Sequence, residues 1–72
     1  MTIYITDGAV RGRCAHAHRT LHGAWRCLME DARRCAAQGG QSDRAIRRIL
    51  QGHAVRLSDR ETRQVAEWEY QG

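Results

Sequence analysis

The sequence predicts an α+β domain of order ββαββα, a four-stranded antiparallel sheet with two helices on one face. Three observations carry this. Ile3-Tyr4-Ile5-Thr6 alternates apolar and polar residues and runs into Asp7-Gly8. Residues 21–38 repeat apolar side chains at three- and four-residue steps. Ser58-Asp59-Arg60-Glu61 has the form of a capping box.

The first element reads as a hairpin. Asp-Gly between alternating segments favours a two-residue type I′ turn. Centred on Asp7-Gly8, that turn sets Thr6 against Ala9, Ile5 against Val10, Tyr4 against Arg11 and Ile3 against Gly12. Ile3, Ile5, Val10, Cys14 and His16 then share the inward face. Tyr4, Arg11, Arg13, Ala15 and Ala17 share the outward one.

Thr20 is suited to cap a helix from about Leu21 to Gln38. Its stripe is Leu21, Ala24, Trp25, Leu28, Ala32 and Cys35. Arg26, Glu30, Arg33 and Arg34 lie largely off the stripe, with Glu30 and Arg34 spaced as an i,i+4 ion pair. Gly39-Gly40 ends the helix. The capping box starts a last helix that runs to about Tyr70, with Leu57 leaning on Thr62 and with Val65 and Trp68 facing inward.

The segment between the helices has two readings. Residues 45–50 and 53–57 can pair across Gln51-Gly52, setting Leu50 against His53, Arg48 against Val55 and Ile46 against Leu57. Alternatively, Ser42 or Asp43 caps a short helix that ends at Gly52. The β-branched isoleucines and the Val55/Leu57 alternation favour the hairpin.

Seventy-two residues make one domain, spanning 1–72. A chain this short buries only about 60% of its unfolded surface, so its core rarely supplies more than ~3–5 kcal/mol. A bound metal or oligomerisation would help it. Phe is absent, which leaves Trp25, Trp68, Tyr4 and Tyr70 to supply the aromatic bulk. No apolar run reaches membrane-spanning length and no signal-peptide pattern is present, so a soluble, cytoplasmic protein is expected. Three cysteines do not make a disulfide framework.

Cys14, His16, His18 and Cys27 contain the donor types of a zinc site, but not as two close pairs. Ordinary packing of small apolar thiols is the favoured account of them, and no metal or cofactor is expected. Cys14 beside His16 invites a thiol-nucleophile reading. The sequence supplies no orienting third group, no oxyanion loop, no Gly-rich phosphate loop and no paired carboxylates, so no enzyme is expected.

The net charge of +4 comes from twelve basic residues, all arginine. Arginine binds phosphate and carboxylate in a bidentate fashion and stacks on planar groups. In the hairpin reading Tyr4, Arg11, Arg13, Arg47 and Arg56 gather on the outward sheet face and form the expected partner-binding surface. Arg47 directly opposite Arg56 is a like-charge pair, relieved by a bridging anion.

Two resemblances extend this reading. Ala36, Gly40, Ile46 and Ile49 stand at the spacing of a helix-turn-helix motif, and residues 42–52 look like its recognition helix. Gly39 and Gln41 depart from it where the motif places apolar residues. The order Asp7-Gly8, Cys-x-His-x-His-Arg-Thr, the Trp/Leu/Cys helix and then Gly39-Gly40-Gln41-Ser42-Asp43-Arg44 resembles small proteins of phages and mobile elements. In size and layout these are similar to anti-CRISPR proteins. That resemblance implies a non-enzymatic inhibitor that binds a bacterial CRISPR effector complex and blocks target-DNA binding or nuclease recruitment. The partner implied is a bacterial protein or ribonucleoprotein, with direct nucleic-acid contact compatible with the arginines and no membrane. The basic charge is opposite to that of a DNA mimic. A homodimer is admissible through a helix flank or strand edge.

Overall fold

In the computed structural model, residues 2–10, 12–14 and 17–71 are described. They form β1 (Ile3–Asp7), α1 (Leu21–Ala37), β2 (Ala45–Leu50), β3 (His53–Val55) and α2 (Asp59–Gln71). The class is α+β, with a three-stranded antiparallel sheet of order β1-β2-β3 and two helices.

The middle segment is the hairpin. Gln51 and Gly52 both adopt positive φ (51° and 83°), the signature of a type I′ turn. They set Leu50 against His53 and Arg48 against Val55. The helix that a helix-turn-helix motif would need over residues 42–52 is not formed. Pairing stops at Val55, so neither the Ile46–Leu57 rung nor the Arg47–Arg56 rung belongs to the ladder. Two guanidinium groups directly opposed would repel, and the chain leaves the sheet one residue before that point.

Among the described residues, the expected fourth strand appears as isolated rungs. Tyr4 and His18 exchange both backbone hydrogen bonds at 2.8 Å, and the Cys14 N–H donates to the Thr6 carbonyl at 3.0 Å. Gly8 and Gly12 close the intervening loop with a reciprocal pair of 3.2 and 2.9 Å. Thr6 therefore faces Cys14 rather than Ala9, and the tight turn at Asp7-Gly8 is replaced by a wider loop. Val10, expected on the inward face, is 87% exposed. Contacts remote in sequence decide this register. The Asp43 carboxylate accepts from the Val10 N–H at 2.6 Å, and the Arg44 guanidinium donates to the carbonyls of Gly12 and Arg13 at 3.0 and 3.3 Å. Gly12, at φ 71°, supplies the left-handed residue that the wider loop requires.

Both helices cover the face that carries Tyr4, Thr6 and Arg48. Tyr4 donates to Glu61 of α2, and the Thr6 hydroxyl lies 4.0 Å from Cys27 Sγ of α1. Ile3 and Ile5 pair with Ile49 and Arg47 on the opposite face. The sequence expectation had these two faces of β1 exchanged. It equated apolar with inward, whereas the hydrogen-bonding partners of Tyr4 and Thr6 lie on the helices. Thr6 is fully buried and Ile5 is 7% exposed, so β1, lying between β2 and the 14–18 segment, is enclosed on both faces.

The helix ends behave as their sequences predict. Thr20 caps α1 by accepting from the Gly23 N–H at 3.0 Å. A Schellman motif closes it, with Gly40 N–H donating to Cys35 O and Gly39 N–H to Ala36 O. Ser58 and Glu61 cap α2 reciprocally, at 3.0 and 3.2 Å. The helices meet through an aromatic cluster. Trp68 stands 5.6 Å from Trp25 and edge-on to His22 at 5.0 Å. Among the described residues no helix is long and apolar enough to cross a membrane.

Candidate functional site

The described members of the expected partner surface, Tyr4, Arg13, Arg47 and Arg56, do not all lie on one face, since Tyr4 and Arg47 fall on opposite faces of the sheet. Tyr4 is on the helix side, with its hydroxyl committed to Glu61. Arg11 lies outside the described residues. Arg13 is exposed, its guanidinium 3.9 Å from Asp7. Arg47, on the sheet face opposite Tyr4, and Arg56 both line one groove. They border a groove of about 600 Å³ between α2, the open half of β2 and Leu28 of α1. Its floor is Leu28, Ile46, Leu57 and Val65, and its rim also carries Asp59 and Glu69. Because β3 pairs only with Arg48–Leu50, the Ala45–Arg47 half of β2 has no strand on this side.

Two other arginines are absorbed into the fold. Arg44 is ion-paired with buried Asp31 at 3.3 Å, and Asp31 also accepts from the Ser42 hydroxyl. Arg48 lies 3.7 Å from Glu61. Burial alone would raise the Glu61 carboxyl pKa. Hydrogen bonds from Tyr4 and Ser58, with the Arg48 charge, outweigh it and hold the pKa below the ordinary value. The same hydrogen bond to Glu61, reinforced by burial, raises the Tyr4 pKa. Asp31 sits on the apolar side of α1, and its partner comes from the next segment of the chain. No local sequence pattern announces that pair.

A second constellation lies where the 14–18 segment, β1 and α1 meet. Cys14, His18 and Cys27 place one donor atom each within 4.8 Å of one another. The Cys14 Sγ to His18 Nε2 distance is 3.8 Å. The Thr6 N–H points at Cys14 Sγ at 3.4 Å, where a ladder would offer a carbonyl. Burial pushes the Cys27 thiol pKa up, opposed by its contact with the Thr6 hydroxyl and by the Arg44 charge. All three residues are half-buried. His16, the other candidate donor, lies outside the described residues.

The convergence follows from an unequal register. Between the rungs at Thr6–Cys14 and Tyr4–His18, β1 advances two residues while the returning segment advances four. Cys14 and His18 both arrive on the α1 side, opposite Cys27. The i, i+4 spacing was visible in the sequence, but the side from which Cys27 meets it was not. Comparison of the chain with known protein families, with curated proteins and with solved structures returns no match.

Proposed function

We propose that the chain is a non-catalytic inhibitor that binds a bacterial CRISPR effector complex stoichiometrically, using Arg47 and Arg56 to seat an anionic surface of that nucleoprotein. The observation that carries this reading is that Arg47 and Arg56 both border one groove with a largely apolar lining. Guanidinium groups recognise phosphate and carboxylate oxygens in the plane of the fork, and the Leu28, Ile46, Leu57 and Val65 floor can bury an apolar anchor beside them. The proposed surface is narrower than the five-residue face expected from the sequence. Tyr4 is spent on Glu61, and Arg13 stands beside Asp7.

The resemblance to small phage and mobile-element proteins supplies the class of partner. Under this reading the chain works in the host cytoplasm and blocks target-DNA binding or recruitment of the nuclease. The test is target-DNA binding by a panel of purified effector–guide complexes, with and without the chain. Inhibition by the wild type at a one-to-one ratio, abolished in Arg47→Glu/Arg56→Glu with an unchanged circular dichroism spectrum, is the expected result. Inhibition that survives the double substitution rejects the surface. An unaffected panel rejects the inhibitor reading.

A further inference from the structure

We propose that Cys14, His18 and Cys27 form a zinc-binding site that fastens the 14–18 segment to α1, with a water molecule in the fourth position. Tetrahedral zinc with Zn–S near 2.3 Å and Zn–N near 2.0–2.1 Å separates sulfur from nitrogen by about 3.6 Å and sulfur from sulfur by about 3.8 Å. Cys14 Sγ and His18 Nε2 already stand 3.8 Å apart. With all donor atoms inside 4.8 Å, closing the set takes side-chain shifts of roughly 1 Å at most.

The surroundings of the sulfurs fit bound thiolates. A thiol is a weak acceptor, yet the Thr6 N–H is directed at Cys14 Sγ, and the Thr6 hydroxyl stands by Cys27 Sγ. Thr6 is fully buried, so its two contacts with the sulfurs lie on the sheltered side of the site. Donors of this kind orient metal ligands and share their negative charge. Binding releases two protons, one from each thiol, and neutral His18 contributes the Nε2 lone pair. The product carries no net charge, which suits a half-buried place beside Arg44. A cavity of about 240 Å³ bordered by His18, Gly23, Arg26, Cys27 and Glu30 gives the ion and its water a path in.

The site also answers a need of the fold. Among the described residues, Cys14 and His18 are tied to β1 by rungs at Thr6 and Tyr4 whose register is unequal. A metal joining Cys14 and His18 to α1 would stabilise this small domain through its binding free energy.

The experiment titrates the reduced full chain with zinc alone and, separately, with cobalt(II) as a spectroscopic stand-in. One equivalent should bind. Cobalt should give tetrahedral d–d bands with thiolate charge transfer, and zinc should raise the melting temperature reversibly by EDTA. Cys14→Ser, Cys27→Ser and His18→Ala should each weaken zinc binding at least ~10-fold, while Cys35→Ala leaves it intact; Thr6→Val should weaken it roughly 10-fold. Should a ligand variant fail to fold, alkylation of the wild type decides instead. Zinc should slow modification of Cys14 and Cys27, and equal rates with and without zinc overturn the proposal. So does cobalt binding without thiolate charge transfer, or zinc affinity that survives in Cys14→Ser and Cys27→Ser.

Discussion

Tyr4 donates its phenolic hydrogen bond to Glu61, joining the first strand of the chain to the first turn of its last helix. Glu61 returns to the Ser58 N–H and lies beside Arg48, so one carboxylate serves a cap, an ion pair and a strand-to-helix tie. Removing the phenol oxygen leaves the other two contacts in place. Tyr4→Phe is expected to cost about 1.5 kcal/mol, a fall of roughly 6–12 °C in melting temperature for a domain of this size. Urea denaturation and a thermal scan check it.

The same contact sets a pH dependence with two limbs. The Glu61 carboxyl is lowered in the folded state, so its contribution is complete above the ordinary glutamate pKa and is lost as pH falls through the depressed value. The Tyr4 phenol is raised, so its contribution holds below the ordinary tyrosine pKa and is lost as pH rises through the raised value. Denaturation midpoints across a pH series should show both limbs. Glu61→Gln should flatten the acid limb, and Tyr4→Phe the alkaline one.

Asp31 and Arg44 are both well buried, at 6% and 16% side-chain exposure. Asp31→Asn removes the negative charge opposite a buried guanidinium that also donates to the Gly12 and Arg13 carbonyls, and should cost about 3 kcal/mol. Asp31→Leu with Arg44→Met removes both charges and should cost less than the sum of the single changes. A double-mutant cycle read by denaturant titration measures the difference.

Gly8 and Gly12 close the same loop for different reasons, and alanine should separate them. A Cβ on Gly8 would lie 2.6 Å from Asp43 Oδ1 and 2.9 Å from the Asp43 backbone carbon, displacing the residue that holds Val10. Gly8→Ala should cost about 1–3 kcal/mol. Gly12 has open space around it, and alanine there meets only the left-handed backbone, at a cost of about 1 kcal/mol. Calorimetry of the two variants should rank them in that order.

What could be read from the sequence is what local chemistry decides. Thr20, Gly39-Gly40, the Ser58–Glu61 box and the Gln51-Gly52 turn each act within a few residues, and each stands where the sequence predicts. The first hairpin could not be read this way. Its Asp7-Gly8 signal is overruled by Asp43 and Arg44, which reach it only after the chain has folded back. The face of β1 was misassigned for a related reason. Tyr4 and Thr6 look like solvent-facing residues until Glu61 and Cys27 are brought opposite them. The same holds for the Cys14–His18–Cys27 cluster, whose donor types are plain in the sequence and whose convergence depends on an unequal register. Of the expected surface of four arginines and one tyrosine, Arg47 and Arg56 line one groove, Tyr4 is claimed by Glu61 on the helix side, and Arg11 lies outside the described residues.

The pairing of β1 with β2 sets Ile3 against Ile49 across most of the chain. A contact of that span closes slowly, because the entropy of a long loop is lost before any rung forms. During synthesis the β1 segment leaves the ribosome well before β2, with its rungs to Cys14 and His18 the nearer partners in sequence. The β2–β3 turn and the two helices can form from neighbouring residues in the meantime. The β1–β2 pairing and the grip of Asp43 and Arg44 on the early loop therefore both depend on the middle of the chain arriving.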